Sequence, residues 1–124
     1  MILVDTSVWV SHFRVGNFEL KQLLNDGDVI SHPLIIGELA CGNIRNRVEI
    51  LILLSSLPTA MEVGHDEALT FIEKKRLMGK GLGYIDVHLL ASALLSNVSI
   101  WSFDGKLNRI STELNINYKR DRGH

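Results

Sequence analysis

The chain has 124 residues, of which 46% are hydrophobic and 22% are charged. These values are ordinary for one globular domain with its own core, and they leave no room for a second domain of usual size. The 13 Lys and Arg residues against 14 Asp and Glu residues give a formal net charge of -1, which excludes a basic surface spread over the whole protein. One cysteine, Cys41, excludes an internal disulfide and a cysteine-rich zinc site.

The hydrophobic runs of the chain are short. The first, Ile2-Leu3-Val4, meets an acid at Asp5 and therefore lacks the length and charge pattern of a signal peptide. The longest, from Ile50 to Leu54, is far below the roughly 20 residues that span a bilayer. We therefore expect a cytoplasmic protein with no membrane partner.

Apolar runs, capping residues and glycines predict strands and helices that alternate along the chain. The predicted strands lie at residues 2–4, 28–31, 60–63, 98–101 and 116–118. The predicted helices lie around residues 8–13, 18–26, 33–41, 46–57, 66–78, 84–95 and 106–113. Such alternation implies an α/β fold with a parallel sheet covered by helices on both faces. We expect residues 1–118 to form this domain and residues 119–124 a charged tail.

Four acidic residues lie in apolar surroundings, where a solvated surface does not explain them: Asp5, Glu38, Asp86 and Asp104. Asp5 and Asp104 follow predicted strands, and Glu38 lies early in the helix after the second strand. Asp86 has apolar partners at helical spacing, so it lies on a stripe that faces the core. No Lys or Arg is spaced to neutralise Asp5, Glu38 or Asp86 locally.

The position of these acids indicates a metal site. Residues at the carboxyl ends of parallel strands converge on one crevice, and converging carboxylates repel each other unless a cation lies between them. Oxygen ligands without His or Cys favour Mg²⁺ or Mn²⁺, a combination that suits phosphodiester hydrolysis. Thr6, Ser7 and Ser102 are placed to hydrogen-bond a carboxylate or a phosphate. The alternative for any single acid is a helix cap or a partnered core group, and the four together favour the metal site.

Other polar residues have simpler interpretations. The five histidines share no metal-ligand spacing, so we expect each to be a surface residue or a hydrogen-bonded core residue. Two basic groups, residues 74–80 and the pair Lys106 and Arg109, are either solvated helix ends or contacts for an RNA backbone.

Four segments of the sequence resemble the PIN-domain nucleases and, within them, the VapC-like toxins of prokaryotic toxin–antitoxin pairs. They occur in the family's order and cover nearly the whole chain. The segments are residues 2–9 (ILVDTSVW), 37–39 (GEL), 83–93 (GYIDVHLLASA) and 101–107 (WSFDGKL).

This resemblance implies a three-layer α/β/α sandwich with a five-stranded parallel sheet of order 3-2-1-4-5. It also implies an Mg²⁺- or Mn²⁺-dependent endoribonuclease, a homodimer whose activity on RNA is silenced by a small antitoxin. The acidic residues of the family correspond to Asp5, Glu38, Asp86 and Asp104, which would bind the metal. The hydroxyl after the first acid corresponds to Thr6, and Ser102 supplies a second hydroxyl.

Three other functions compete with this one. A PIN-type RNA-processing nuclease without an antitoxin has the same fold, and a neighbouring gene for a small DNA-binding protein would decide between the two. A receiver-type signalling module needs adjacent acids after its first strand, and Asp5 has no acidic neighbour. A catalytically silent protein-binding domain would not need the complete acidic set.

Overall fold

Three short parallel strands form the centre of the fold. In a computed structural model, which describes residues 1–119, they are β1 (Ile2–Val4), β2 (Val29–Ile30) and β3 (Ser99–Trp101), in the lateral order β2-β1-β3. Leu3 pairs with Ile30 on one side and with Ile100 on the other. The strands are almost wholly apolar because helices cover both faces of the sheet.

The prediction of two outer strands in a five-stranded sheet is only partly correct. Residues near 60 and 117 lie at the two edges of the sheet, as the predicted order 3-2-1-4-5 of the five predicted strands requires. Each segment forms only one isolated bridge, Ser31 with Thr59 and Ile100 with Asn117. On the first edge, pairing stops because the Met61 amide donates to Ser96 Oγ (2.8 Å) instead of to a strand. On the other edge, Asn115 has a left-handed backbone (φ 59°), so the chain turns immediately before the bridge.

All seven predicted helices are present, with ends that differ by a few residues. They are α1 (Thr6–Val15), α2 (Phe18–Asn25), α3 (Pro33–Ala40), α4 (Arg47–Ser56), α5 (His65–Lys75), α6 (Tyr84–Ser96) and α7 (Gly105–Glu113). The helix predicted to begin at Asp66 starts earlier, because the Glu67 side chain accepts a hydrogen bond from the Gly64 amide (2.9 Å). It ends at Arg76 in a left-handed conformation, before the predicted end at Met78.

The core surrounds β1 and α6. Leu3 and Val4 are fully buried, and every residue of α6 from position 87 to 93 is buried. The apolar central helix therefore packs along the sheet and fixes the position of its first turn, which contains Asp86. No helix within residues 1–119 is long and apolar enough to cross a membrane.

The predicted tail at residues 119–124 lies, apart from Lys119, outside the described residues. The proposed domain boundary at residue 118 therefore stays a prediction.

Candidate metal centre

Asp5 is the best buried of the four predicted acids. It follows β1 directly, and its amide donates to the Trp101 carbonyl (2.9 Å), which extends the pairing of β1 with β3 by one residue. The side chain is consequently held beside Ser102, and the residue is only 7% exposed. The hydroxyls of Ser7 and Ser102 each donate to Asp5 Oδ2, both at 2.8 Å.

The two serines connect Asp5 to the segment after β3. The Phe103 amide donates to Ser7 Oγ and the Asp104 amide donates to Ser102 Oγ, each at 2.9 Å. A hydroxyl has one proton, and both protons are used on Asp5, so the 3.3 Å between the two Oγ atoms is a contact without a shared proton. Asp5 Oδ1 has no hydrogen-bond donor among residues 1–119, which leaves this oxygen available to a ligand.

Asp86 lies in the first turn of α6, where its Oδ2 accepts a hydrogen bond from the Gly83 amide (3.0 Å). Burial raises the pKa of Asp86 above its ordinary value, the Gly83 hydrogen bond opposes this rise, and the charges of Asp5 and Asp104 add to it. The three carboxylates therefore share one region of negative potential at the carboxyl edge of the sheet.

Asp104 has a structural role as well. It is the N-cap residue of α7, and its Oδ1 accepts hydrogen bonds from the amides of Lys106 (2.9 Å) and Leu107 (3.0 Å). The simple interpretation of this acid as a helix cap is thus correct, although its charge also acts on Asp86. One oxygen is used by the cap, so the other, Oδ2, is the oxygen with which Asp104 would contact a cation.

Glu38 differs from the other three acids in its position on the surface of α3 and in its hydrogen-bond partner. It is exposed on α3, and Thr6 Oγ1 donates to its Oε1 at 2.8 Å, which joins α1 to α3. These two residues border a groove of about 470 Å³ that Arg14 and Arg45 also line. Thr6 is the residue next to Asp5, so this pair adjoins the buried acid from the outer side.

Asp5 is hydrogen-bonded to Ser102, the charges of Asp5 and Asp104 act on Asp86, and Thr6, which follows Asp5 in the chain, forms a separate hydrogen-bonded pair with Glu38. Within residues 1–119, no three His, Cys, Asp or Glu side chains stand close enough to hold one ion as they are placed. The chemistry of the donors nevertheless fits a hard divalent cation, because all of them are carboxylate oxygens and no Lys, Arg or His in the described range forms an ion pair with them.

Ser7 was expected to hydrogen-bond a carboxylate or a phosphate but was not among the predicted site residues. It bridges Asp5 and Phe103, which makes it as central to the arrangement as Ser102. Its position two residues after Asp5, in the first turn of a helix, is the sequence feature that could have identified it as a site residue.

The predicted basic groups separate in the structure. Lys74 and Lys75 line a groove with α6 residues such as Leu94, while Lys80 forms an ion pair with Glu113 (3.8 Å). The Lys106 side chain lies against Gly81, where an added Cβ would be 2.8 Å from Lys106 Cδ and 3.2 Å from Nζ. Lys106 thus lies between the Asp104 cap and the glycine loop that leads to Asp86.

The prediction of a hydrogen-bonded core histidine is confirmed for His32. This residue is 1% exposed, its Nδ1 accepts from the Leu34 amide (3.0 Å), and its Nε2 lies 3.1 Å from Ser92 Oγ. Because Nδ1 accepts, Nε2 carries the proton and donates to the serine. Burial lowers the pKa of His32, Glu62 opposes this change and His88 adds to it.

Comparison with known proteins agrees with the resemblance found in the sequence. The PIN domain family model matches residues 2–113. Ribonuclease VapC32 of Mycobacterium tuberculosis strain CDC 1551 is 43% identical over 117 residues, which are 94% of this chain and 94% of the relative. The protein of the same name from strain H37Rv gives the same values.

A solved structure shows the same fold at low sequence identity. The crystal structure of PAE2754 from Pyrobaculum aerophilum matches with a TM-score of 0.58 and 16% identity, and the match covers 87% of this chain and 77% of that one. The α/β fold class is thereby confirmed. With the family model matching residues 2–113 and relatives 43% identical over 94% of its length, this chain belongs to the PIN domain family.

Proposed function

We propose that this protein is a metal-dependent endoribonuclease that hydrolyses RNA phosphodiester bonds and acts as the toxin of a toxin–antitoxin system. The observation that carries the proposal is the buried Asp5, held by two serine hydroxyls, beside Asp86 and Asp104 with no basic residue of the described range paired to them. The relatives named Ribonuclease VapC32 support the same activity.

Asp5, Asp86 and Asp104 would hold Mg²⁺ or Mn²⁺, and Glu38 would contribute directly or through water. A bound ion supplies positive charge that offsets the charge developing on the phosphodiester and favours deprotonation of the attacking water. Burial raises the pKa of Asp86 most and the charges of Asp5 and Asp104 add to the rise, and a cation beside these carboxylates would relieve the part that comes from repulsion.

The neighbouring residues orient the acids. Ser7 and Ser102 fix Asp5 through Oδ2, so that Oδ1 would be the oxygen with which Asp5 holds a cation. The Gly83 amide fixes Asp86 in the same way through Oδ2. Thr6 holds Glu38 at the border of the site. Each acid thus keeps one oxygen in a hydrogen bond and one for the ligand, an arrangement that limits reorganisation when the ion and the RNA bind.

Lys106 is the residue we assign to the RNA backbone. It is exposed, it lies between Asp104 and the glycine loop, and within residues 1–119 no carboxylate forms an ion pair with it. Its ammonium group is therefore available to a phosphate that flanks the scissile bond. Lys80, by contrast, already has Glu113 as a partner.

The assembly and location follow from the same proposal. We infer a homodimer in the cytoplasm, silenced by a small antitoxin protein that covers the acidic site with a basic residue. An arginine or lysine from such a partner would satisfy the carboxylates in place of the metal ion. The antitoxin would then inhibit the protein by competing with the metal as well as with RNA.

Removal and return of the metal tests the proposed reaction. The purified protein should cleave structured RNA with Mg²⁺ or Mn²⁺, lose cleavage in excess EDTA, and regain it when the ion is added back. Cleavage that persists in EDTA would contradict the metal dependence. Failure of the folded protein to cut any member of a broad RNA panel would contradict the nuclease itself.

A further inference from the structure

A pocket with aromatic walls lies beside the acidic site. Its volume is about 370 Å³, and its lining consists of Glu19, Trp101, Ser102, Phe103, Asn108 and Tyr118. Phe103 stands edge to face against Trp101 with the ring centroids 5.8 Å apart, and Tyr118 is tilted against Trp101 at 5.3 Å. Three rings from the end of β3 and from the edge segment after α7 therefore form one aromatic surface.

The pocket and the acidic site share structure. Ser102 lines the pocket and donates to Asp5, and Phe103 is the residue between Ser102 and Asp104. The Phe103 amide donates to Ser7 Oγ, which in turn donates to Asp5 Oδ2. Two hydrogen bonds thus connect the backbone of the aromatic residue with the carboxylate that we assign to the metal.

Within residues 1–119, the exposed surface of the Phe103 side chain has no role in stabilising the fold. The residue is 51% exposed although Trp101, whose ring it contacts edge to face, is only 8% exposed. A single exposed apolar side chain is ordinary, but this one is held by a backbone hydrogen bond at the rim of a pocket. The amide hydrogen bond restrains the backbone and the contact with Trp101 restrains the ring, which lowers the entropy cost of stacking a ligand against it.

The chemistry of the lining fits a nucleobase. Single-stranded nucleic acids bind proteins by stacking bases on aromatic rings, while basic residues contact the backbone. Asn108 lines the pocket beside the rings, with its amide nitrogen donating to the Ser102 carbonyl (2.7 Å), and Lys106 lies three residues from Phe103 on the same segment. A phosphate at Lys106 and a base at Phe103 are therefore compatible with one RNA strand crossing the acidic site.

We propose that the pocket formed by Trp101, Phe103 and Tyr118 binds a base of the RNA strand next to the cleaved phosphodiester, with Phe103 as the residue that stacks on it. This proposal rests on the assignment of the protein as a ribonuclease and adds a binding subsite to it. A base bound in the pocket would help to place the adjacent phosphate at the acids, because Ser102 belongs to both the pocket and the acidic site.

The test measures the part of RNA affinity that depends on bases. The background is Asp86→Asn, which prevents cleavage during the measurement and leaves the hydrogen bonds of Asp5, Ser7 and Ser102 in place. The two probes are a short fluorescent oligoadenylate and an abasic ribose-phosphate chain of the same length. Phe103→Ala should weaken binding of oligoadenylate about 5- to 100-fold, and it should leave binding of the abasic chain and the salt dependence unchanged.

Two further variants guard against a merely structural effect. Phe103→Leu retains an apolar side chain that should fold like its parent, and it should show the same selective loss because it lacks the ring. Phe18→Ala removes an aromatic side chain that is 75% exposed and does not line the pocket, so it should bind both probes like the parent.

The outcomes separate the two proposals. If the wild type cleaves RNA but Phe103→Ala binds both probes like the parent, or weakens both equally, the base pocket is wrong and the nuclease stands. If the wild type cleaves no RNA and the Asp86→Asn protein binds neither probe, both proposals are wrong. Selective loss with oligoadenylate in both Phe103 variants supports the pocket.

Discussion

The candidate metal centre has a buried half and an exposed half. The buried half is Asp5 with Ser7 and Ser102, in which Asp5 accepts hydrogen bonds from the two hydroxyls and donates one from its amide to Trp101 at the end of β3. The exposed half is Glu38 with Thr6, joined by one hydrogen bond between two helices. Strand ends fix a side chain through the backbone pairing of the sheet, whereas a helix surface positions a long side chain with less constraint. We therefore expect the buried half to tolerate less change.

The largest contrast is between Ser102→Ala and Thr6→Val. Loss of the Ser102 hydroxyl removes one of the two donors to Asp5 Oδ2, and the rate of RNA cleavage should fall about 10- to 100-fold. Thr6→Val releases Glu38, which water can solvate, and should cost about tenfold or less. Steady-state cleavage rates measured across a range of Mn²⁺ concentrations would compare the two.

Ser102→Thr is the matched control, since it keeps the hydroxyl and should retain most of the activity. A larger loss of cleavage rate in Thr6→Val than in Ser102→Ala would contradict the expectation that the buried half tolerates less change.

A smaller effect is expected outside the carboxylates, at Lys106. Lys106→Gln should raise KM more than it lowers kcat, because the ammonium group contacts a phosphate rather than the reacting atoms. The slope of log affinity against log salt for single-stranded RNA should become shallower by about 0.7, the value for one phosphate contact. Lys80→Gln is the control, because that ammonium group is paired with Glu113 and the slope should not change. An equal change in the salt slopes of the two variants would contradict the assignment of Lys106 to the RNA backbone.

The smallest effect concerns stability. The pKa of Asp86 is raised above its ordinary value of 3.8, so between these two values the folded protein binds more protons than the unfolded chain. The free energy of unfolding therefore falls as the pH rises through this range, and the ionised acid lowers stability above it. Asp86→Asn should therefore increase the metal-free thermal midpoint at neutral pH, and the gain should shrink as the pH falls toward 3.8.

Asp28→Asn, on an exposed acid outside the site, is the reference for this measurement. A gain from Asp86→Asn that does not depend on pH would contradict the electrostatic origin.

The sequence predicts Asp5, Asp86, Asp104 and Ser102 better than the residues around them. Asp5 and Ser102 follow apolar strands, and the period of α6 places Asp86 toward the core, so local pattern alone identifies them. The cap formed by Asp104 is also a local signal, which is why its structural and functional interpretations coincide. In the fold, the apolar runs identify β1, β2 and β3, but they overestimate the edge strands, whose pairing depends on competing partners such as Ser96 for the Met61 amide.

The aromatic pocket and the exposed position of Glu38 beside Thr6 were not predictable in this way. Glu19, Phe103 and Tyr118 are far apart in the chain and meet only after the sheet and α7 have assembled. Similarly, Gly-Glu-Leu near position 38 indicates an acid on a helix, but the distance of that helix from β1 depends on how α1 and α3 pack. Both the pocket and the position of Glu38 depend on tertiary packing, which the hydrophobic periodicity of the sequence does not predict.

The central claim is that Asp5 is part of a metal-dependent centre that cleaves RNA, and the most direct test compares Asp5→Asn with Asp28→Asn. Both variants remove one carboxylate charge, but only Asp5 lies in the acidic site. With Mg²⁺ or Mn²⁺ and a structured RNA, Asp5→Asn should lose about 10³-fold or more of the cleavage rate, equivalent to several kcal/mol of transition-state stabilisation. Asp28→Asn should cleave like the wild type. Unchanged cleavage by folded Asp5→Asn, or an equal loss in both variants, would contradict the account.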